Sequence, residues 1–152
     1  MRVEIVIGNI VRQPDVDALL NSANANLRFG SGVAGAIHTA AGPELEQYCR
    51  RYSPIALGEA VVTPGFHLPN PYVIHARAAS YINDDQPEKY LDLAIVQALR
   101  VATEVGIKSI AMRVVQFVCT LYEQHIGAGG LQMGEVGALA GGPVALLTVR
   151  IR

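Results

Sequence analysis

The sequence has no tryptophan, three phenylalanines and only two cysteines in 152 residues. Cys49 and Cys119 sit far apart without C-x-x-C spacing, which argues against a disulfide framework and for a reducing, cytoplasmic compartment. Charge of either sign is equally scarce. Twelve Lys and Arg against thirteen Asp and Glu leave a net charge of -1, with no local basic cluster. That balance gives no footprint for non-specific nucleic-acid binding, so any charged ligand must be met by local geometry. No window approaches the roughly 18 unbroken apolar residues of a membrane span. The N-terminal "MRVEIVIGN" alternates as a strand does and lacks a signal peptide's apolar core. A soluble protein with no membrane partner is expected. Low-complexity linkers and internal repeats are absent too.

What is present is apolar: 51% of the chain is hydrophobic, enough for one domain of ordinary size with a sizeable core. "VEIVI" (3 to 7) predicts a first strand and "DALLNS" (17 to 22) a buried one. From Val33, apolar Ala36, Ile37, Ala40 and Ala41 fall at helical spacing until Gly42-Pro43 stops the run. A second helix starts at Pro43, with Leu45, Tyr48, Cys49 and Tyr52 as its buried stripe. "EAVVTPG" and "PYVIHA" read as two core strands. A long helix follows Pro87, with Leu91, Ala94, Ile95, Ala98, Leu99, Ala102 and Val105 on one face and Gly106 at its C-terminus. "IKSIAM" (107 to 112) is another strand. The alternation predicts a three-layer α/β domain with helices on both faces of a largely parallel sheet. Beyond Met112 the pattern weakens, and residues 113 to 152 carry only Arg113, Glu123, Glu135, Arg150 and Arg152 as charges. A strand or helix is expected in 114 to 122, a second glycine-rich loop in "HIGAGGLQ" (125 to 132), a glycine-laden helix near 133 to 140 and a last strand in "VALLTVRI".

The stretch with the least side chain is "NSANANLRFGSGVAGAIH" (21 to 38), whose Gly30, Gly32 and Gly35 spell G-x-G-x-x-G. In a nicotinamide fingerprint the first glycine comes directly off a strand, and an acid lies about 20 residues on. Here polar, turn-forming residues separate Asn21 from Gly30, and the later position is Arg50-Arg51. The dinucleotide reading fails, but its physics survives. Glycines that admit close backbone approach, followed by a helix N-terminus, make an anion site suited to phosphate or diphosphate.

Five motifs in order resemble those of macro domains: "GNIV" (8 to 11), "DALLNSAN" (17 to 24), "GSGVAGAIHTAAGP" (30 to 43), "GEAVVTPGFHLPNPYVIH" (58 to 75) and "GAGGL" (127 to 131). The resemblance implies one macro domain over residues 1 to 152, with a three-layer α/β/α fold and a mixed central sheet of about six strands. It also implies binding of ADP-ribose, O-acetyl-ADP-ribose or mono-ADP-ribosylated protein in a crevice at the strands' C-terminal ends, without a cofactor. Carried onto this chain, Asn9 and the Ile10 N–H would face adenine. Asn24 would contact the distal ribose, above Asn21. Gly30, Ser31, Gly32, Val33 and Ala34 would surround the ribose and diphosphate, and Gly127, Ala128, Gly129 and Gly130 would close over the diphosphate.

Three departures stand out. Asn9 replaces the family's aspartate, removing a charge worth on the order of 1 kcal/mol to an adenine amino group. Ala34 stands where the family's hydrolases often carry an aspartate, and alanine does no proton chemistry. Arg113 follows the fifth strand where the family has a proline, and the last third is atypical. The same residues therefore allow three readings: a binding module for ADP-ribose, a hydrolase using Asn24 and substrate-assisted water, or a module for another adenine nucleotide or a nucleic-acid end. Among the histidines, His38 reads as a hydrogen-bonding helix residue, His75 as a core histidine, His67 as solvated, and His125 as adjoining the second glycine loop. None pairs with metal-ligand spacing, so no metal is expected.

Overall fold

A computed structural model describes residues 1–30, 32–79, 84–113 and 145–151. The expectations for Ser31, for 114 to 122, for the second glycine loop with Gly127, Ala128, Gly129 and Gly130, for His125 and for a helix near 133 to 140 lie outside the described residues. In chain order the elements are β1 (Arg2–Ile7), β2 (Ala18–Ser22), α1 (Gly32–Ala41), α2 (Pro43–Cys49), β3 (Ala60–Pro64), β4 (Tyr72–Ala76), α3 (Pro87–Val105), β5 (Ser109–Arg113) and β6 (Ala145–Arg150).

Local chemistry explains the ends of the helices. Gly42 leaves α1 at φ 88, a conformation that favours glycine, and Pro43 then opens α2 with its fixed φ. Pro87 likewise opens α3. At the other end Gly106, at φ 89, donates to Ala102 O and Thr103 O, and Ile107 donates to Ala102 O, which satisfies carbonyls the helix leaves unpaired. The stripe expected on α2 needs one correction. Leu45 and Cys49 are buried, but the helix stops at Cys49, and Tyr52 lies beyond it, exposed, just before Ser53-Pro54. Val105, in the last turn of α3, is exposed as well.

The six strands form one sheet in the order β1-β6-β5-β2-β4-β3. β2 pairs in parallel with β4 and β5, whereas β1–β6, β5–β6 and β3–β4 are antiparallel. The sheet is thus mixed, and the largely parallel sheet expected from alternation is corrected: hydrophobic period reports burial, not strand direction. β3 is also not a core strand but an edge. Only Thr63 within it is buried, and Pro64, which has no N–H to donate, ends it where, among the described residues, no further strand needs one.

Period-two alternation sorts the central strands between two helical layers. Ala18, Leu20, Ile74, Ala76, Ile110 and Met112 face α3 and pack with its Leu91, Ala94, Ile95, Ala98 and Ala102. Leu19, Val73, Ala111 and Leu146 face the opposite way, toward Ile37 and Ala41 of α1 and Leu45 and Cys49 of α2. Each of the larger buried side chains contributes roughly 1.5–3 kcal/mol. Among the described residues, no helix is long and apolar enough to cross a membrane.

Candidate functional site

Because β6 is antiparallel to both β1 and β5, β1 runs in the same direction as β5, β2 and β4. All four end at one edge of the sheet. The chain leaves β5 at Arg113 and enters β6 at Ala145 on that same edge, where Ala145 pairs with Ile7. The loops after β1 and β2, which hold Asn9, Ile10, Asn24 and Gly30, therefore share it, although β5 and β6 separate the two strands.

After β1, Ile10 is buried and anchors its loop in the core. Exposed Asn9 accepts the Val11 N–H on Oδ1 at 3.0 Å, while its carbonyl accepts from the Arg12 N–H and from Gln13 Nε2. The Oδ1 expected to meet adenine thus already closes a local turn, yet a carbonyl oxygen has two lone pairs and retains capacity for one more donor. Asn70, unremarked in the sequence, donates Nδ2 to Gln13 O at 2.7 Å and Val16 O at 2.8 Å and ties this loop to the turn before β4.

After β2, Asn24 organises the next turn. Its Oδ1 accepts the N–H groups of Asn26 and Arg28, and its Nδ2 donates to Arg28 O at 2.9 Å. Buried Leu27 pins the turn from below. Gly30 then tucks its carbonyl against Gly35 so closely that a Cβ on Gly35 would collide with that oxygen. At Gly32 the φ of 60 favours glycine, and an added Cβ would meet nothing within 4 Å. The leading N–H groups of α1 have no partner inside the helix, and at Gly32 the helix begins on an exposed side that faces open space among the described residues. Val33 is half-buried there, and Ala34 is buried with no group able to carry a proton.

Beneath this loop lies a polar cluster. Asn21 and His75 are register partners on β2 and β4, both on the α1–α2 side of the sheet, and both almost wholly buried. The Thr63 hydroxyl donates to Pro64 O at 3.1 Å, so it accepts from His75 Nε2–H at 3.0 Å. In that arrangement the imidazole proton sits on Nε2 and Nδ1 accepts from Asn21 Nδ2 at 3.0 Å. Cys49 Sγ lies 3.7 Å from the same Nε2. Burial, assisted by neighbouring His38, pushes His75 down to about 3, so it is neutral at ordinary pH. Burial also raises the Cys49 thiol to about 11, which rules it out as a nucleophile near neutrality.

His38, buried on α1, stands 6.3 Å from the His75 ring and 6.4 Å from Phe29, edge-on to the latter. Burial lowers its pKa, and the Glu46 carboxylate pulls it part of the way back. Among the described residues, its Nε2 and Asn21 Oδ1 are buried without a hydrogen-bond partner. His67 is exposed, 3.8 Å from Glu44. Neither Glu46 nor Thr63 was singled out from the sequence, because nothing in their residue type or spacing marks them. Arg113, at the end of β5, brings a cation to the same edge. A separate open groove of about 500 Å³ lies between β3 and α3, lined by Leu57, Gly58, Leu93 and Arg100 among others, and none of the described candidate residues borders it.

Comparison with known proteins gives this arrangement a family. An uncharacterized protein of Fusobacterium nucleatum is 41% identical over 110 residues, 72% of this chain and 63% of that protein, so the chain spans less than two thirds of that relative's length. The Oceanobacillus iheyensis macrodomain solved with ADP matches with a TM-score of 0.64 at 28% identity, covering 72% of this chain and 68% of that one. The Trypanosoma brucei macrodomain in complex with ADP-ribose matches at 0.59 and 32% identity, covering 68% of this chain and 43% of that one. The Macro domain family model matches residues 20–128, most of the sequence, and the chain belongs to the macro domain family.

Proposed function

We propose that this macro domain binds ADP-ribose, free or carried on a metabolite such as O-acetyl-ADP-ribose or on a protein, at the edge where β1, β2, β4 and β5 end. The observation that carries the reading is the start of α1, which follows Gly30, begins at an exposed Gly32 with open space around it among the described residues, and lies beside the Asn24 turn. Helix N–H groups and dipole there favour a diphosphate without needing net positive charge. The solved macrodomains with ADP and ADP-ribose support the same choice of ligand. In this reading Asn9 and Ile10 meet adenine. Asn24, over Asn21, meets the distal ribose. Gly30, Ser31, Gly32, Val33 and Ala34 line one side of the diphosphate, and Gly127, Ala128, Gly129 and Gly130 supply the other.

Binding is favoured over turnover because Ala34 offers no acid or base at the start of α1 and Cys49 is held as a thiol. Titration calorimetry with ADP-ribose, with AMP in parallel, is the test. Heat is expected for both ligands, with ADP-ribose the tighter, because AMP lacks the diphosphate and distal ribose. No heat at millimolar ADP-ribose would sink the reading. Release of acetate from O-acetyl-ADP-ribose, lost in Asn24→Ala, would replace binding by hydrolysis.

A further inference from the structure

Three consecutive residues lead into the first glycine loop, and each is held from outside itself. Arg28 is gripped at both N–H and carbonyl by Asn24. Gly30 is fixed by its close packing on Gly35. Between them, Phe29 donates its N–H to Glu46 Oε2 at 3.1 Å. Asn24 and Gly35 belong to the macro-domain motifs of the sequence (17 to 24 and 30 to 43), whereas Glu46, on α2, belongs to neither. Phe29 is 59% exposed, so its own side chain buries too little to hold the backbone in place. Its ring rests edge-on against His38, with Cζ close to Gly35, and this contact alone leaves the peptide free to turn.

The geometry points to Glu46 as a positioning residue for the anion-binding loop: its carboxylate fixes the Phe29 peptide and so sets the path of the chain into Gly30. The assignment rests on the ADP-ribose reading for what the loop holds, though not for the anchor itself. Bond and charge work in opposite directions. A hydrogen bond from a backbone N–H to a carboxylate orders the loop, while the same negative charge beside a phosphate site opposes an anionic ligand.

Two variants separate these effects. Glu46→Gln keeps an acceptor oxygen and removes the charge, and Glu46→Ala removes both. ADP-ribose should bind Glu46→Gln at least as tightly as the parent and Glu46→Ala about tenfold more weakly, the size of one charged hydrogen bond. In the ligand-free protein, exchange of the Phe29 amide should quicken by a similar factor in Glu46→Ala and stay slow in Glu46→Gln. Unchanged exchange of the Ile74 amide in the sheet shows that the fold is intact. Parental affinity and exchange in Glu46→Ala, or a Gln variant as weak as the Ala variant, overturns the assignment. If the parent gives no heat with ADP-ribose, the ligand reading fails, and the amide exchange still decides whether Glu46 anchors the loop.

Discussion

The two faces of the sheet are built from alternate residues of the same strands, yet they differ in kind. Toward α3 the central strands present Ala18, Leu20, Ile74, Ala76, Ile110 and Met112, all apolar. Toward α1 and α2 the same strands present Leu19 and Val73 and then, at the end nearest the candidate site, Asn21 and His75. A one-residue step along β4, from Ile74 to His75, moves from a layer that only supports to a layer that also orients. The polar face is the costly one, since every buried donor and acceptor there needs a partner. Asn21, His75 and Thr63 meet that cost largely among themselves.

The largest effect should come from the apolar face. Ile74→Ala removes a fully buried side chain, so it should cost about 2–5 kcal/mol in urea unfolding. ADP-ribose affinity per folded molecule should be unchanged. A matching loss of affinity would mean that the two faces are not separable as described.

Acid should act on the other face. His75 has a folded pKa near 3 against an ordinary 6.5, so as pH falls below 6.5 the unfolded chain takes up a proton that the folded one refuses. The stability conferred by neutral His75 is therefore whole above pH 6.5 and lost on acidification, by about 2 kcal/mol between pH 8 and pH 5. Urea midpoints across that range should fall for the parent and fall less for His75→Leu. Equal slopes would contradict a buried neutral histidine.

The smallest effect belongs to Asn9, at the rim. Asn9→Asp keeps an oxygen for the Val11 N–H and restores a charge, so it should tighten ADP-ribose and AMP alike by about fivefold, near 1 kcal/mol. Adenosine calorimetry isolates that term from the phosphates, and unchanged affinity there would remove Asn9 from the adenine side.

Periodicity made the elements legible because burial imposes it. The stripe Leu91, Ala94, Ile95, Ala98 and Ala102 marks α3, and Pro87 and Gly106 mark its ends. Strand direction was not legible in the same way, since β3 and β4 carry similar β-rich residues whether they run parallel or not. Nor was the edge position of β3, which Pro64 alone hints at. Asn21, Asn24 and the glycines come to notice through the motifs "DALLNSAN" and "GSGVAGAIHTAAGP". Glu46 does not, because it reaches Phe29 from 17 residues away along the chain, and a glutamate in the first turn of a helix is unremarkable. His75 could be placed in the core from its strand, but its partners Asn21, Thr63 and Cys49 come from three other segments and only the fold gathers them.

The pairing of Arg113 with Leu146 has a consequence for how this scaffold tolerates change. β5 and β6 hold each other through five register pairs, from Ser109 with Arg150 to Arg113 with Leu146, so a substitution at one pair leaves the other four to keep the register. The β5–β6 register is set by the strands themselves. Side chains at the Arg113 end can therefore change while the ladder still brings β5 and β6 together at the edge where β1, β2 and β4 end.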